Sequence, residues 1–131
     1  MRSVELFAGA GGMALGLHRA GIRAAALVEY DPAACLTLAA AVERGDLCGD
    51  VICDDANTVD LSEFVGADLV CGGPPCQPFS SAGSQGGEDD ARDGWPAFVR
   101  AVRIVRPRFL LGENVRGFLF PKHGAYRARI C

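Results

Sequence analysis

The chain has 131 residues, 50% of them hydrophobic and 22% charged, with a formal net charge of −3. That length and apolar content fit one folded domain and exclude a disordered segment, while the acidic balance excludes a general nucleic-acid-binding surface, so that any such partner must be gripped locally. No apolar run reaches membrane-spanning length and no segment reads as a signal peptide. The cysteines at 35, 48, 53, 71, 76 and 131 form no C-x-x-C pair and therefore read as reduced thiols of a cytoplasmic protein. Only His18 and His123 are available to help a thiol hold a metal, and neither lies near a cysteine pair, so no metal site is expected.

Strands and helices alternate along the sequence. A strand over 4–7 runs into a glycine-rich turn over 8–12, followed by a helix over 13–20 that Gly21 ends. A second strand spans 24–29. Asp31 and Pro32 then supply an N-cap and a first helical residue, and that helix stops at Gly45. Short strands follow over 51–53 and 67–71, the latter entering a proline-rich turn. Residues 80–94 are polar, glycine-bearing and without periodicity, which predicts a loop. Trp95, Phe98, Val99, Val102 and Val105 fall at helical spacing before Pro107, residues 108–113 read as a fifth strand, and another helix begins near Ala125 with Arg127 and Arg129 on its exposed face. The alternation predicts an α/β fold with a doubly wound, mostly parallel sheet. In such sheets ligands bind outside the carboxyl ends of the strands, where the Gly9 turn, Glu29, Asp55, Cys76 and Glu113 all fall.

The chemistry follows from those clusters. Pro74, Pro75 and Pro78 enclose Cys76 and Gln77, so the thiol sits on a stiff turn with its geometry set in advance, as a nucleophile requires. Gly9-x-Gly11-x-x-Ala14 lets a ligand approach the backbone closely, and Glu29, twenty residues after Gly9, is placed to accept both hydroxyl protons of a ribose. Together these favour an adenosine-type cofactor. Asp55, or equally Asp54, is placed to meet an adenine amino group. Trp95 either covers a cofactor or caps the core. Glu113, leaving an apolar strand beside the one that carries Cys76, is expected to be partly desolvated and able to share a proton with a group the thiol attacks.

Four segments taken together, Phe7-Ala-Gly-Ala-Gly-Gly12, Val28-Glu29-Tyr30-Asp31, Gly73-Pro-Pro-Cys-Gln-Pro-Phe-Ser80 and Glu113-Asn-Val115, resemble in order and spacing the first half of the DNA cytosine-5 methyltransferases. The resemblance covers essentially the whole chain and implies a Rossmann-like S-adenosylmethionine-dependent fold. It also implies S-adenosylmethionine as cofactor, with Phe7 near the adenine, Ala8, Gly9, Gly11 and Gly12 facing the methionine part, and Glu29 on the ribose. Asp55 would meet the adenine amino group, with Tyr30, Ala56, Pro75 and Trp95 completing the cofactor contacts. Cys76 would add to C6 of a cytosine flipped from duplex DNA while Glu113 stabilises charge at N3, and Pro74, Gln77, Ser80, Arg92 and Asn114 would contact the substrate. The segment from Ser81 to Gly94 resembles the family's closing loop, with Arg92 as a phosphate contact.

The family's arginine motif, target-recognition region and remaining strands have no counterpart. Residues 1–131 are therefore expected to form a single catalytic domain fragment whose sheet is incomplete at the C-terminus, part of a truncated or split enzyme that needs a complementing chain, or else inert. A cytosine-5 RNA methyltransferase of the same fold shares the Pro-Pro-Cys-Gln motif, and a nicotinamide-dependent oxidoreductase would share the glycine turn while giving no reason for Cys76 and Glu113.

Overall fold

The computed structural model describes residues 1–77, 79, 90 and 92–130. Five strands, β1 (Arg2–Leu6), β2 (Arg23–Glu29), β3 (Asp50–Cys53), β4 (Leu69–Gly72) and β5 (Phe109–Gly112), form one sheet in the order β3-β2-β1-β4-β5. Every pairing is parallel. Helices α1 (Gly12–Arg19) and α2 (Pro32–Glu43) cover one face, α3 (Trp95–Val105) covers the other, and α4 (Gly124–Ile130) closes the described chain. The doubly wound parallel sheet expected from the sequence is thus observed. Short 3₁₀ turns at Ser62–Phe64, Arg116–Leu119 and Pro121–His123 were not predicted, because three or four residues leave no periodic signal.

Alternation along β1 divides the core. Val4 and Leu6 face α3 together with Val28, Val70, Phe98, Ala101 and Val105, whereas Leu27, Ala14, Leu38 and Ala41 pack together on the α1/α2 face. α2 starts where the sequence places it: the Asp31 carboxylate accepts the Ala33 N–H at 3.2 Å, and Pro32 occupies the first turn.

A charged residue is buried in this sheet. Glu5 is 2% exposed, in register with Leu27 of β2 and Cys71 of β4. Burial pushes its carboxyl up to about 7, partly offset by a hydrogen bond from the Ala14 backbone in the first turn of α1. Burial, and after it the neighbouring Glu5 charge, likewise pushes the Cys71 thiol up to about 12.

Among the described residues no strand pairs with the outer edge of β5. Phe109, Leu110 and Leu111 are 49%, 57% and 43% exposed, so side chains on both faces of the strand meet solvent. The predicted loop over 80–94 lies mostly outside the described residues. Arg127, expected on an exposed helix face, is half-buried instead. Its guanidinium donates to the carbonyls of Phe118 (2.6 Å) and Phe120 (3.0 Å), satisfying the 3₁₀ turn that precedes α4.

Candidate active site at the carboxyl ends of the strands

Because all five strands run the same way, every loop that follows a strand opens at one end of the sheet. After β1 the chain turns sharply at Phe7, whose φ of 55° is left-handed and uncommon for a residue with a side chain. Gly11, the N-cap of α1, has φ 88°, and a Cβ there would lie 2.9 Å from both Leu38 and Leu47, so only glycine fits. The Ala8 N–H bonds the Val28 carbonyl at 3.1 Å and the Gly11 N–H bonds the Ala8 carbonyl at 2.9 Å, which ties the turn to β2. Gly12 opens the helix at the surface.

The Glu29 carboxylate organises the turn. One oxygen accepts the Gly9 N–H at 2.7 Å; the other accepts the N–H groups of Tyr30 (2.8 Å) and Asp31 (2.9 Å). A carboxylate so held is fixed before any ligand arrives. Beside it lies a pocket of about 110 Å³ lined by Phe7, Val28, Glu29, Tyr30, Asp54, Asp55, Ala56 and Pro75. Six of these residues are ones that the sequence assigns to the cofactor. Of the two candidate aspartates, Asp54 accepts the Asp55 N–H at 2.7 Å, whereas Asp55 uses Oδ1 to hold both the backbone and side-chain N–H of Asn57 (2.8 and 2.9 Å).

The proline turn follows β4 at the same end. Pro74 is buried, Pro75 and Cys76 are half-buried and Gln77 is exposed. The Cys76 carbonyl accepts the Phe79 N–H at 2.9 Å, and Phe79, 1% exposed, anchors the turn against Phe118, His123 and Tyr126 at ring-centroid distances of 4.9, 5.1 and 6.0 Å. Across from it, the Glu113 N–H continues the β4–β5 ladder to the Gly72 carbonyl at 3.0 Å. The Glu113 carboxylate leans over the start of the turn, with Oε2 3.2 Å from the point a Gly73 Cβ would occupy. The thiol-bearing turn and the carboxylate therefore lie on neighbouring strand ends.

Several of the expected site residues take other partners in this geometry. Glu113 is exposed, not partly desolvated, because β5 is the edge strand of the sheet among the described residues. Asn114 commits its amide to the Pro74 carbonyl (3.0 Å) and its Oδ1 to the Val115 N–H (2.9 Å), so it braces the proline turn. Trp95 does not line the pocket. At 7% exposure it stacks on Phe118 at 4.8 Å and fills the space beneath Gly112, where core burial of its ring outweighs a surface role. Arg92 pairs with Asp90 through Nη2–Oδ2 (2.6 Å) and Nε–Oδ1 (2.9 Å), and this guanidinium holds the Asp90 carboxyl down at about 2. Ser80 lies outside the described residues, as does most of the predicted closing loop.

A larger cleft of about 720 Å³ opens between α3, β5 and α4. Its walls are mainly aliphatic and aromatic, and of the predicted site residues only Trp95 and Asn114 reach it.

Sequence reasoning missed Gly94. A Cβ there would lie 2.6 Å from Pro75 Cδ, 2.9 Å from the tip of Phe7 and 3.1 Å from Pro74 Cβ, so this glycine lets the proline turn close over Phe7. Nothing in a polar loop marks such a contact; the one cue was a glycine directly before a tryptophan helix start. Neither proline ring can rotate away, so Gly94→Ala is expected to destabilise the fold by about 1–3 kcal/mol and to weaken ligand binding in the pocket. Urea unfolding together with calorimetry checks this, and wild-type values in both would contradict it.

Comparison with known proteins decides the family. The profile of C-5 cytosine-specific DNA methylases matches residues 1–131. The chain belongs to that family. It is 46% identical over 128 residues to the Type II methyltransferase M.NgoMIV of Neisseria gonorrhoeae, covering 98% of this chain but 40% of that protein. A prophage-encoded E. coli protein superposes with a TM-score of 0.77 at 30% identity, over 99% of this chain and 36% of its own. The Pyrococcus abyssi tRNA (uracil-54, C5)-methyltransferase in complex with S-adenosyl-L-homocysteine shares the fold at a TM-score of 0.64 and 13% identity, over 98% of this chain and 27% of its own. The chain thus spans well under half the length of these relatives. Among the described residues, no helix is long and apolar enough to cross a membrane.

Proposed function

We propose that this domain binds S-adenosylmethionine at the ends of β1, β2 and β3 and directs methylation of C5 of cytosine in DNA. The observation that carries the reading is the position of Pro75: it lines the pocket built by Phe7, Glu29, Tyr30 and Asp55, and it immediately precedes Cys76. The cofactor pocket and the nucleophile are therefore one residue apart.

The pocket's donor set fits an adenosine. Phe7 and Tyr30 offer ring faces, Glu29 presents a pre-positioned carboxylate to ribose hydroxyls, and Asp55 accepts from the adenine amino group. When bound, the cofactor supplies an electrophilic methyl group. The chain's own residues do the rest. C5 of cytosine becomes nucleophilic when the Cys76 thiolate adds to C6, and the Glu113 carboxyl holds the proton at N3 that this addition demands. After C5 is methylated and loses its proton, expulsion of Cys76 restores the ring. C6 is inaccessible in a stacked duplex, so the target base must be flipped out.

The open β5 edge supports a further polypeptide segment, in the same chain or a second one, that completes the sheet and carries DNA recognition. By itself this chain is expected to yield no sequence-selective methylation. Calorimetry tests the cofactor assignment directly: the chain should bind S-adenosyl-L-homocysteine and not NAD, and Glu29→Ala should abolish that binding. Tight NAD binding with none for the sulfur nucleoside would overturn the reading in favour of an oxidoreductase.

A further inference from the structure

Two cysteines that the proposed mechanism does not use lie at the edge of the pocket. Cys35 sits on the first turn of α2, buried at 6% exposure, and its thiol donates to the Glu29 carbonyl at 3.2 Å. Cys53 ends β3, is exposed, and pairs in register with Glu29. The same Glu29 carbonyl also accepts the N–H of Asp54, the residue after Cys53, at 3.0 Å. These restraints gather Cys35 and Cys53 around one carbonyl oxygen, that of Glu29, and make the two cysteines neighbours.

We propose that Cys35 and Cys53 are a redox-sensitive pair, closed to a disulfide by a small-molecule disulfide oxidant, and that closure weakens cofactor binding. Cys53 is the thiol an external reagent can reach. Its thiolate attacks the oxidant, breaking that S–S bond, releasing one thiol and leaving a mixed disulfide on Cys53. Cys35 then loses its proton to solvent and attacks the Cys53 sulfur, expelling the second thiol. Two protein thiols give up two electrons and two protons in all, and one external disulfide becomes two thiols.

Order of attack follows from the surroundings. Burial first, then the neighbouring Cys53, and then the charges of Glu29 and Asp31, hold the Cys35 thiol up at about 11. Capping Cys53 as a mixed disulfide removes its share of that barrier at the moment Cys35 must ionise. Of the other described cysteines, Cys71 is buried within β4, Cys48 lies beside His18, and Cys76 sits half-buried on the proline turn after β4.

Closing the bond takes the Cys35 thiol off the Glu29 carbonyl and draws the end of β3 toward α2. Glu29, Asp54 and Asp55, which line the pocket, flank that movement. The effect on affinity rests on assigning the pocket to the cofactor; the thiol chemistry does not.

The native 131-residue chain, its Cys53→Ser variant and its Cys35→Ala variant would each be treated with glutathione disulfide. Cross-linked peptides would be mapped by mass, and S-adenosyl-L-homocysteine affinity measured by calorimetry before and after dithiothreitol. The expected result is a Cys35–Cys53 linked peptide in the native chain, affinity about tenfold weaker, and full recovery on reduction. Cys53→Ser should show neither change, and Cys35→Ala should carry only glutathione on Cys53. A native chain that gains glutathione on Cys53 without the link, or that links with unchanged affinity, overturns the proposal. A reduced chain that binds no S-adenosyl-L-homocysteine refutes the pocket assignment instead, while the peptide masses still decide the cross-link.

Discussion

With Cys76 replaced by serine, methyl transfer by the chain joined to a recognition region is expected to fall by at least about 10³-fold, to background. A hydroxyl in the same place is almost wholly protonated near neutrality, whereas an ordinary thiol already supplies a few per cent of a strong nucleophile. The turn itself should survive the change, because the prolines, the Asn114–Pro74 hydrogen bond and the buried Phe79 hold it without using the sulfur. Binding of S-adenosyl-L-homocysteine should therefore stay within about twofold, since Cys76 is absent from the pocket lining. Loss of turnover with retained binding is the pattern expected of a nucleophile. Turnover that survives the substitution would mean the methyl acceptor is activated by another group.

Glu5→Gln is expected to remove a pH dependence from stability. The Glu5 carboxyl moves from an ordinary value of 4.5 to about 7 in the folded chain. Between those values the native state keeps a proton that the unfolded state has released, so wild-type stability falls as pH rises from 4.5 to 7 and levels off above. The penalty above 7 is about 3 kcal/mol, a large share of a small domain's stability. Glutamine carries no such charge, and its own packing cost is the same at every pH. His123 works in the other direction: burial, then the charges of Lys122 and Arg127, lower its pKa, so its contribution falls away as pH drops through the ordinary histidine value. Subtracting the variant's urea-unfolding free energies from those of the wild type at pH 5 and pH 8 isolates Glu5. A difference that does not change between the two pH values would show that this carboxyl ionises without penalty.

The elements with strong local signals were legible. The Asp31-Pro32 start of α2 and the Trp95-to-Val105 spacing of α3 are local patterns, and the structure reproduces them within a residue or two. The meeting of the glycine turn with Glu29 was legible for the same reason, since a glycine turn after one strand and an acid ending the next are fixed by chain connectivity in a parallel sheet. Trp95, Asn114 and Arg92 were not. For Trp95 and Asn114 the partner lies far away in sequence, Phe118 for the indole and the Pro74 carbonyl for the amide, whereas Arg92 takes Asp90, two residues before it. Glu113 was placed on the correct strand end, but its exposure depended on what packs beyond β5.

From the sequence alone came the strand-helix alternation, the parallel sheet, and the gathering of Gly9, Glu29, Asp55, Cys76 and Glu113 at one end of it. Those follow from periodicity and from the one-way running of parallel strands, which need no knowledge of distant contacts. Only the folded chain decided that Gly94 leaves room for the proline turn over Phe7, that Glu5 is buried with a raised pKa, and that the Cys35 thiol bonds the Glu29 carbonyl beside the pocket. Each of those depends on distances of a few ångströms between segments far apart in sequence. Packing and desolvation set such distances, and the order of residues does not encode them locally.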